Sequence, residues 1–439
     1  MVAKKKSAKE KVAKKATAPQ PGITPQSTTP PERPLARRST DVKRLLAAAK
    51  PLLKALDRPS PAALKQAAGT IGRLVYGETP QTKLTLTDRF LFLLSLELSQ
   101  RSLRGYSTLD PDLIAQIDSF VSTIEVYVND TSQQRPLNFL MLASPGAGKS
   151  HFIKCVAARL ATKSISAITF NMASMQSNDD LVPPLDAARN LKVEDRLPLL
   201  FLDEFDSAPG NFSLLLPLLW DGGLNLGQRD LRLGKVIVVM AGNDPELPDT
   251  MDHARSMRAQ LPAGGGHNPK LIDLFSRING GILRIPPFYD MANRIDRRAD
   301  KVCIAITLLK QRFGQSLRVV PLALLRFIAL VDFRYNVRSI AHLVDLIPYR
   351  KNAEQLTIEQ LGLPLRTPSR LKQSSLAYHL LHEDQAYGAV KNWEDAARVN
   401  AQLVIESGWV EGLQDLRPHM REYFLPELLK EKGLLSTKA

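Results

Sequence analysis

The residues best suited to chemistry form one short run, Ala143-Ser-Pro-Gly-Ala-Gly-Lys-Ser150. Gly146 and Gly148 let backbone N–H groups converge on an anion, and the Lys-Ser ending adds an ammonium and a hydroxyl where the next element starts. An apolar run precedes the segment, and Phe152, Ile153, Val156 and Leu160 follow it at helical spacing. This context predicts a strand-to-helix phosphate loop, in which the positive end of the new helix also faces the anion. Lys149 is expected to reach the β- and γ-phosphates of ATP, and the Ser150 hydroxyl to ligate Mg2+. Ser144, Pro145, Gly146, Ala147, Gly148 and His151 complete the expected nucleotide-binding set. Ala143 stands where such loops carry their first glycine, and its methyl is tolerated if the backbone keeps a strand-like φ.

Two further segments supply partners for that loop. Leu197-Pro-Leu-Leu-Phe-Leu-Asp-Glu204 is an apolar run that ends in two carboxylates. Asp203 at its tip is expected to hold Mg2+ directly or through water, and Glu204 to orient and activate the attacking water. Val236 to Asn243 is another apolar run with a polar end. If both runs are parallel strands, their carboxyl ends open on one crevice, which brings Asn243 within reach of the γ-phosphate or the water.

The elements that must position these groups are legible as a period. Apolar runs at Leu137 to Ala143, Ala167 to Met172, Leu197 to Leu202, Val236 to Ala241 and Ile282 to Ile285 alternate with helical stretches. That alternation predicts an α/β fold, a mostly parallel sheet flanked by helices. Residues 41–130 read as a helical N-terminal region, with Leu113, Ile114, Ile117, Phe120, Val121 and Ile124 at spacings of three and four. Residues 131–289 form the expected nucleotide-binding domain and 290–352 a helical lid with no further strand-like run, in which Pro321 stands where a helix could start. Residues 353–439 form a partly helical extension of unassigned role.

Taken together, the motifs resemble the AAA+ ATPases, a branch of the P-loop NTPases, over about Leu137 to Tyr349. Ala143 to Ser150 resembles Walker A, Asp203 and Glu204 resemble Walker B, and Asn243 resembles sensor 1. Leu271-Ile-Asp-Leu-Phe-Ser-Arg-Ile278 is similar to the arginine-finger box, and Tyr335-Asn-Val-Arg-Ser-Ile-Ala-His-Leu343 to the sensor 2 helix. The resemblance implies that Arg277 acts in a neighbouring subunit's site and that Arg338, with Arg334 as its rival, approaches the γ-phosphate from the lid. It also implies a homo-oligomer, a ring or partial ring, that hydrolyses Mg-ATP to remodel a macromolecular partner. A scaffold that binds ATP with negligible turnover and a DNA-handling ATPase are the alternatives.

Composition bounds these readings. The chain has 439 residues and a formal net charge of +15. Residues 1–40 hold ten Lys or Arg against two acids and almost no large apolar side chain, so this basic tail is expected to be disordered. It contains no aromatic residue to stack on bases, so any nucleic-acid contact it makes should be nonspecific and salt-dependent. Its other reading is a solubilising extension. The two cysteines lie in helix-like segments without a disulfide framework, and no apolar run reaches the roughly 20 residues of a membrane span, so a cytoplasmic protein is expected.

Three segments bear on the task. Asn171 to Asp180 lacks the aromatic residue of protein-threading pore loops, leaving Met172 and Met175 as weak grips. Trp220 to Gly234 reads as a hairpin, either projecting toward a partner or simply connecting. His379 and His382 stand three apart, without further residues at a known zinc spacing.

Overall fold

The structure is a computed structural model that describes residues 35–77, 85–161, 164–207, 210, 212–226, 229–243, 247, 273–317, 319–330, 333, 335–347, 349, 353–356 and 409–411. Arg334, the histidine pair at 379 and 382 and nearly all of 353–439 lie outside them, as does the tail up to residue 34.

Four helices come first: α1 (Leu35–Ala55), α2 (Pro61–Ile71), α3 (Leu86–Ser99) and α4 (Pro111–Asn129). Their starts follow local chemistry. Ser60 caps α2, Thr85 and Asp88 form a capping box on α3, and Asp110 accepts from the first N–H groups of α4 ahead of Pro111. Helix α1 begins inside the stretch read as tail; Leu35-Ala-Arg-Arg are good helix formers that continue the apolar pattern beyond them.

The α/β core follows as β1 (Leu137–Ala143), α5 (Lys149–Leu160), β2 (Ile165–Asn171), α6 (Val182–Val193), β3 (Leu197–Asp203), α7 (Phe212–Asp221), the hairpin β4 (Gly223–Leu226) and β5 (Arg229–Arg232), β6 (Ile237–Gly242) and β7 (Gly281–Ile285). Five strands pair in the order β2-β3-β6-β1-β7, all parallel. The strand period of two sends alternate residues to opposite faces. Phe139, Met141, Phe201 and Val239 join α4 and α5 in one core, whereas Leu140, Leu142, Leu200 and Met240 join α6 and α7 in another. The inner strands β1, β3 and β6 are buried on both faces and almost wholly apolar, which makes them legible in the sequence.

Past the sheet come the short hairpin β8 (Tyr289–Asp290) and β9 (Ile295–Asp296), then α8 (Arg298–Phe313), β10 (Val319–Pro321), α9 (Leu322–Leu330) and α10 (Asn336–Leu346). The expectation of no strand beyond residue 290 is therefore corrected. Val319-Val-Pro321 pairs antiparallel with β11 (Trp409–Glu411), a partner too distant in sequence for periodicity to reveal, and Pro321 ends that strand immediately before α9.

Helices α1 to α3 share one apolar core with α8 to α10, including Leu52, Leu64, Ile71, Phe92, Val302, Leu309, Ile328 and Leu343. A buried ion pair fastens this layer to the sheet. Arg297 bonds Asp300 at 2.8 Å and the Pro286 carbonyl at 2.6 Å, while Asp300 also accepts from Thr108 Oγ1 at 2.8 Å and the Leu109 N–H at 2.7 Å. Asp300→Ala would leave the buried Arg297 with only its longer 3.4 Å pair to Asp110, and is expected to destabilise the fold by about 3 kcal/mol. The double change Arg297→Met with Asp300→Leu should cost less than the single one. Urea midpoints compare the two; a single variant as stable as the double would refute this account.

Candidate functional site

The site is assembled at the carboxyl ends of the parallel strands. Ala143 closes β1, is buried, and is not among the described residues with positive φ, so its methyl costs nothing there. The loop then turns through Gly146 (φ +72°) and Gly148 (φ +90°), and Gly148 stands at the N-cap of α5. Lys149 is buried, with Nζ donating to the Ala143 carbonyl at 3.3 Å. The Ser150 hydroxyl donates to Asp203 Oδ2 at 3.1 Å, joining two segments 53 residues apart.

Beyond Asp203 the chain reverses through Glu204 at φ +55°, a left-handed conformation unusual for a residue with Cβ. The turn is fastened by the Glu204 N–H donating to Asp203 Oδ1 at 3.1 Å and by the Ser207 hydroxyl donating to the Glu204 carbonyl at 2.7 Å. One turn on, Asp206 Oδ2 accepts from the Asn243 N–H at 2.8 Å. The end of β6 is thereby tied to the acidic turn.

Helix α10 covers the loop from the other side. The Arg338 N–H donates to the Gly146 carbonyl at 3.3 Å, and Asn336 Nδ2 donates to Ser144 Oγ at 3.0 Å and the Pro145 carbonyl at 3.1 Å. Asn336, at φ +48°, is a contact that sequence reasoning missed; its only local signal was a turn-forming residue type at a helix start.

Pro145, Gly146, Ala147, Gly148, Lys149, Ser150, His151, Asp203, Glu204, Asn243 and Arg338 line one cavity of about 270 Å3. Ser144 lies behind it, bonded to Asn336. Next to it is a mostly apolar cavity of about 220 Å3 that shares Ala147, Gly148 and His151 and is walled by Tyr106, Ile285, Phe288, Ile304 and Leu308. His151 sits on the boundary, 2.9 Å from the Gly105 carbonyl, which can only accept, so Nε2 carries the proton. Burial pushes the Tyr106 hydroxyl up to about 12 and the Cys155 thiol up to about 11, so both stay neutral at pH 7. A polar cavity lined by two cations and two carboxylates beside an apolar one suits a phosphate chain, with its metal ion, joined to a flat base. Ser150 and Asp203 supply the hard oxygen donors that Mg2+ takes alongside phosphate oxygens and water.

Arg277 is not in this cavity. It follows a short turn whose Leu274 and Phe275 are fully buried, near the amino end of β1, and its Nη1 donates to the Asp273 carbonyl at 2.6 Å. Met172 is also fully buried, in the core of the α6 face, which removes it as an exposed grip. The 220–234 hairpin is docked rather than free: Leu224, Leu231 and Leu233 pack into the same core, leaving Arg229, Asp230 and Arg232 outward.

Residues 139–261 match the family described as "ATPase family associated with various cellular activities (AAA)". No curated protein matches the chain. Among solved structures, the S. cerevisiae Hsp104-ADP complex is similar at 15% identity and a TM-score of 0.35, over 64% of this chain and 47% of that one. The chain thus spans about half the length of that protein. NtrX from Brucella abortus in complex with ADP is similar at 13% identity and a TM-score of 0.38, over 82% of this chain and 97% of that one.

Proposed function

We propose that the chain, whose residues 139–261 match the AAA ATPase family, works as an oligomer which uses ATP hydrolysis to remodel a macromolecular partner. The observation that carries the catalytic part is the 3.1 Å bond from Ser150 to Asp203 inside a cavity that Lys149, Glu204 and Asn243 also line.

In this reading the β- and γ-phosphates lie on the N–H groups of residues 146–150, with Lys149 neutralising their charge. Ser150 and Asp203 would hold Mg2+, which when bound would offset the charge of the phosphates. Glu204 accepts a proton from the attacking water, and Asn243 orients that water or the γ-phosphate. Arg338 approaches the γ-phosphate from α10, so the lid feels whether that phosphate is present. Arg277, outside its own cavity, serves a neighbouring subunit, which makes turnover depend on assembly. The apolar cavity takes the base.

Steady-state phosphate release by the full chain, with a Lys149→Ala chain as the blank, tests the catalytic part. Turnover that exceeds the blank and rises per subunit with protein concentration is expected; equality with the blank at every concentration would refute it. Identifying what copurifies with a Glu204→Gln chain tests the remodelling part, because that chain should retain its partner in the ATP state.

A further inference from the structure

We propose that Asn138 is a positioning residue for hydrolysis: its buried amide fixes the segment that presents Arg277, and so governs delivery of that guanidinium to a neighbouring copy's nucleotide. This rests on the reading of Arg277 given above.

Asn138 is fully buried, the one polar side chain in Leu-Asn-Phe-Leu-Met-Leu-Ala of β1. An amide in such surroundings is costly unless its groups are paired. Its two Nδ2 protons reach separate elements, donating to the Leu219 carbonyl at the end of α7 at 2.7 Å and to the Arg277 carbonyl at 2.8 Å. Its Oδ1 is buried and finds no donor among the described residues, so the residue type is explained by its donors alone.

Three more bonds close a clasp between the start of β1 and residues 277–280. Asn279 Oδ1 accepts from the Asn138 N–H at 2.7 Å, Asn279 Nδ2 donates to the Pro136 carbonyl at 3.0 Å, and the Gly280 N–H donates to the Asn138 carbonyl at 2.8 Å. The approach is tight enough to require glycine: a Cβ at residue 280 would stand 2.8 Å from the Phe139 ring and 2.9 Å from the Asn138 carbonyl oxygen.

The side chain of Arg277 is held ready rather than satisfied. Its Nε is buried with no acceptor among the described residues. Asn138 cannot act on its own subunit's nucleotide by contact, since it lies five residues from Ala143, roughly 17 Å along an extended strand. An error in the clasp shifts the finger segment instead, and displacing a catalytic group by about 1 Å costs on the order of 100-fold in rate.

The test uses full-length Asn138→Ser, Asn279→Ala and Arg277→Ala chains. Each is measured for ATP affinity, for kcat, for thermal unfolding, and for turnover after mixing with Glu204→Gln subunits. All three are expected to lose at least ~10-fold in kcat with ATP affinity changed less than ~2-fold. Each should regain turnover on mixing, because Glu204→Gln subunits bring an intact finger segment and the variants bring intact acidic turns. Asn138→Ser and Asn279→Ala chains at native kcat beside an impaired Arg277→Ala chain would overturn the role of Asn138 while leaving Arg277 in place. A native kcat in Arg277→Ala would instead remove the finger reading, and the proposal with it. Loss that mixing does not restore marks ordinary structural damage and also overturns the proposal. If Asn138→Ser does not fold, Asn279→Ala decides, since its side chain is exposed and leaves no core cavity.

Discussion

A Glu204→Gln chain is expected to bind ATP as tightly as the native chain and to turn it over at least ~100-fold more slowly. The amide matches the carboxylate in size and keeps an oxygen for the attacking water, but it cannot take the proton, and a positioned base is worth roughly 100- to 10,000-fold. The backbone supports this separation of effects. Glu204 is held at φ +55° by bonds through its own N–H and carbonyl, neither of which involves its side chain, so the turn survives the change. Asp203, which bonds Ser150, is untouched. Phosphate release measured beside nucleotide affinity checks both halves. Native turnover in this variant would show that the base lies elsewhere.

The second large effect is expected from Gly146→Ala. A Cβ there would fall 2.0 Å from the Tyr335 carbonyl oxygen and 3.2 Å from Arg338 Cβ, at φ +72°. The clash is with backbone rather than with the end of a flexible side chain, so the start of α10 is expected to move off the loop. Gly148→Ala is the control: its φ is +90°, but nothing lies within 4 Å of the added carbon, so without nucleotide it carries only the left-handed penalty of about 1–2 kcal/mol. In the absence of nucleotide, Gly146→Ala should lower the unfolding temperature more than Gly148→Ala. It should also lower hydrogen-exchange protection of the Arg338 amide, which bonds the Gly146 carbonyl at 3.3 Å as well as the Tyr335 carbonyl at 3.0 Å. ATP affinity should fall at least ~100-fold if the lid closes on bound nucleotide. Equal behaviour of the two variants would mean that the lid contact contributes nothing.

Both results depend on contacts that differ in how readable they were. The inner strands β1, β3 and β6 were visible because burial on both faces makes a strand a short, nearly unbroken apolar run, and the phosphate loop because its glycines, lysine and serine act within a few residues of one another. The acidic turn was visible as carboxylates at a strand end. The docking of Asn336 on Ser144 and Pro145 was not, because it joins residues about 190 positions apart and leaves no local period. Strand β10 was hidden for the same reason, its partner being Trp409 to Glu411.

Asn138 was read as part of an apolar strand, since one amide among six apolar residues hardly disturbs the pattern. Only the placement of Leu219 and Arg277 around it shows what its donors hold. The amphipathic helices before the sheet announced that they needed an apolar partner, but not that α4 packs on the sheet whereas α1 to α3 pack on the lid layer α8 to α10.

What the amino-acid order determined alone was therefore the local chemistry: a phosphate loop, two acids at a strand tip, a polar strand end, and the apolar runs of a buried parallel sheet. Tertiary structure decided which of these groups meet. It brings Ser150 to Asp203, Asp206 to Asn243 and the start of α10 onto the loop, while leaving Arg277 at the far end of β1. The reason is physical: residue type and spacing constrain the backbone over one or two turns, whereas the partner of a buried face or a hydrogen-bonding group is chosen by packing among elements far apart in the chain.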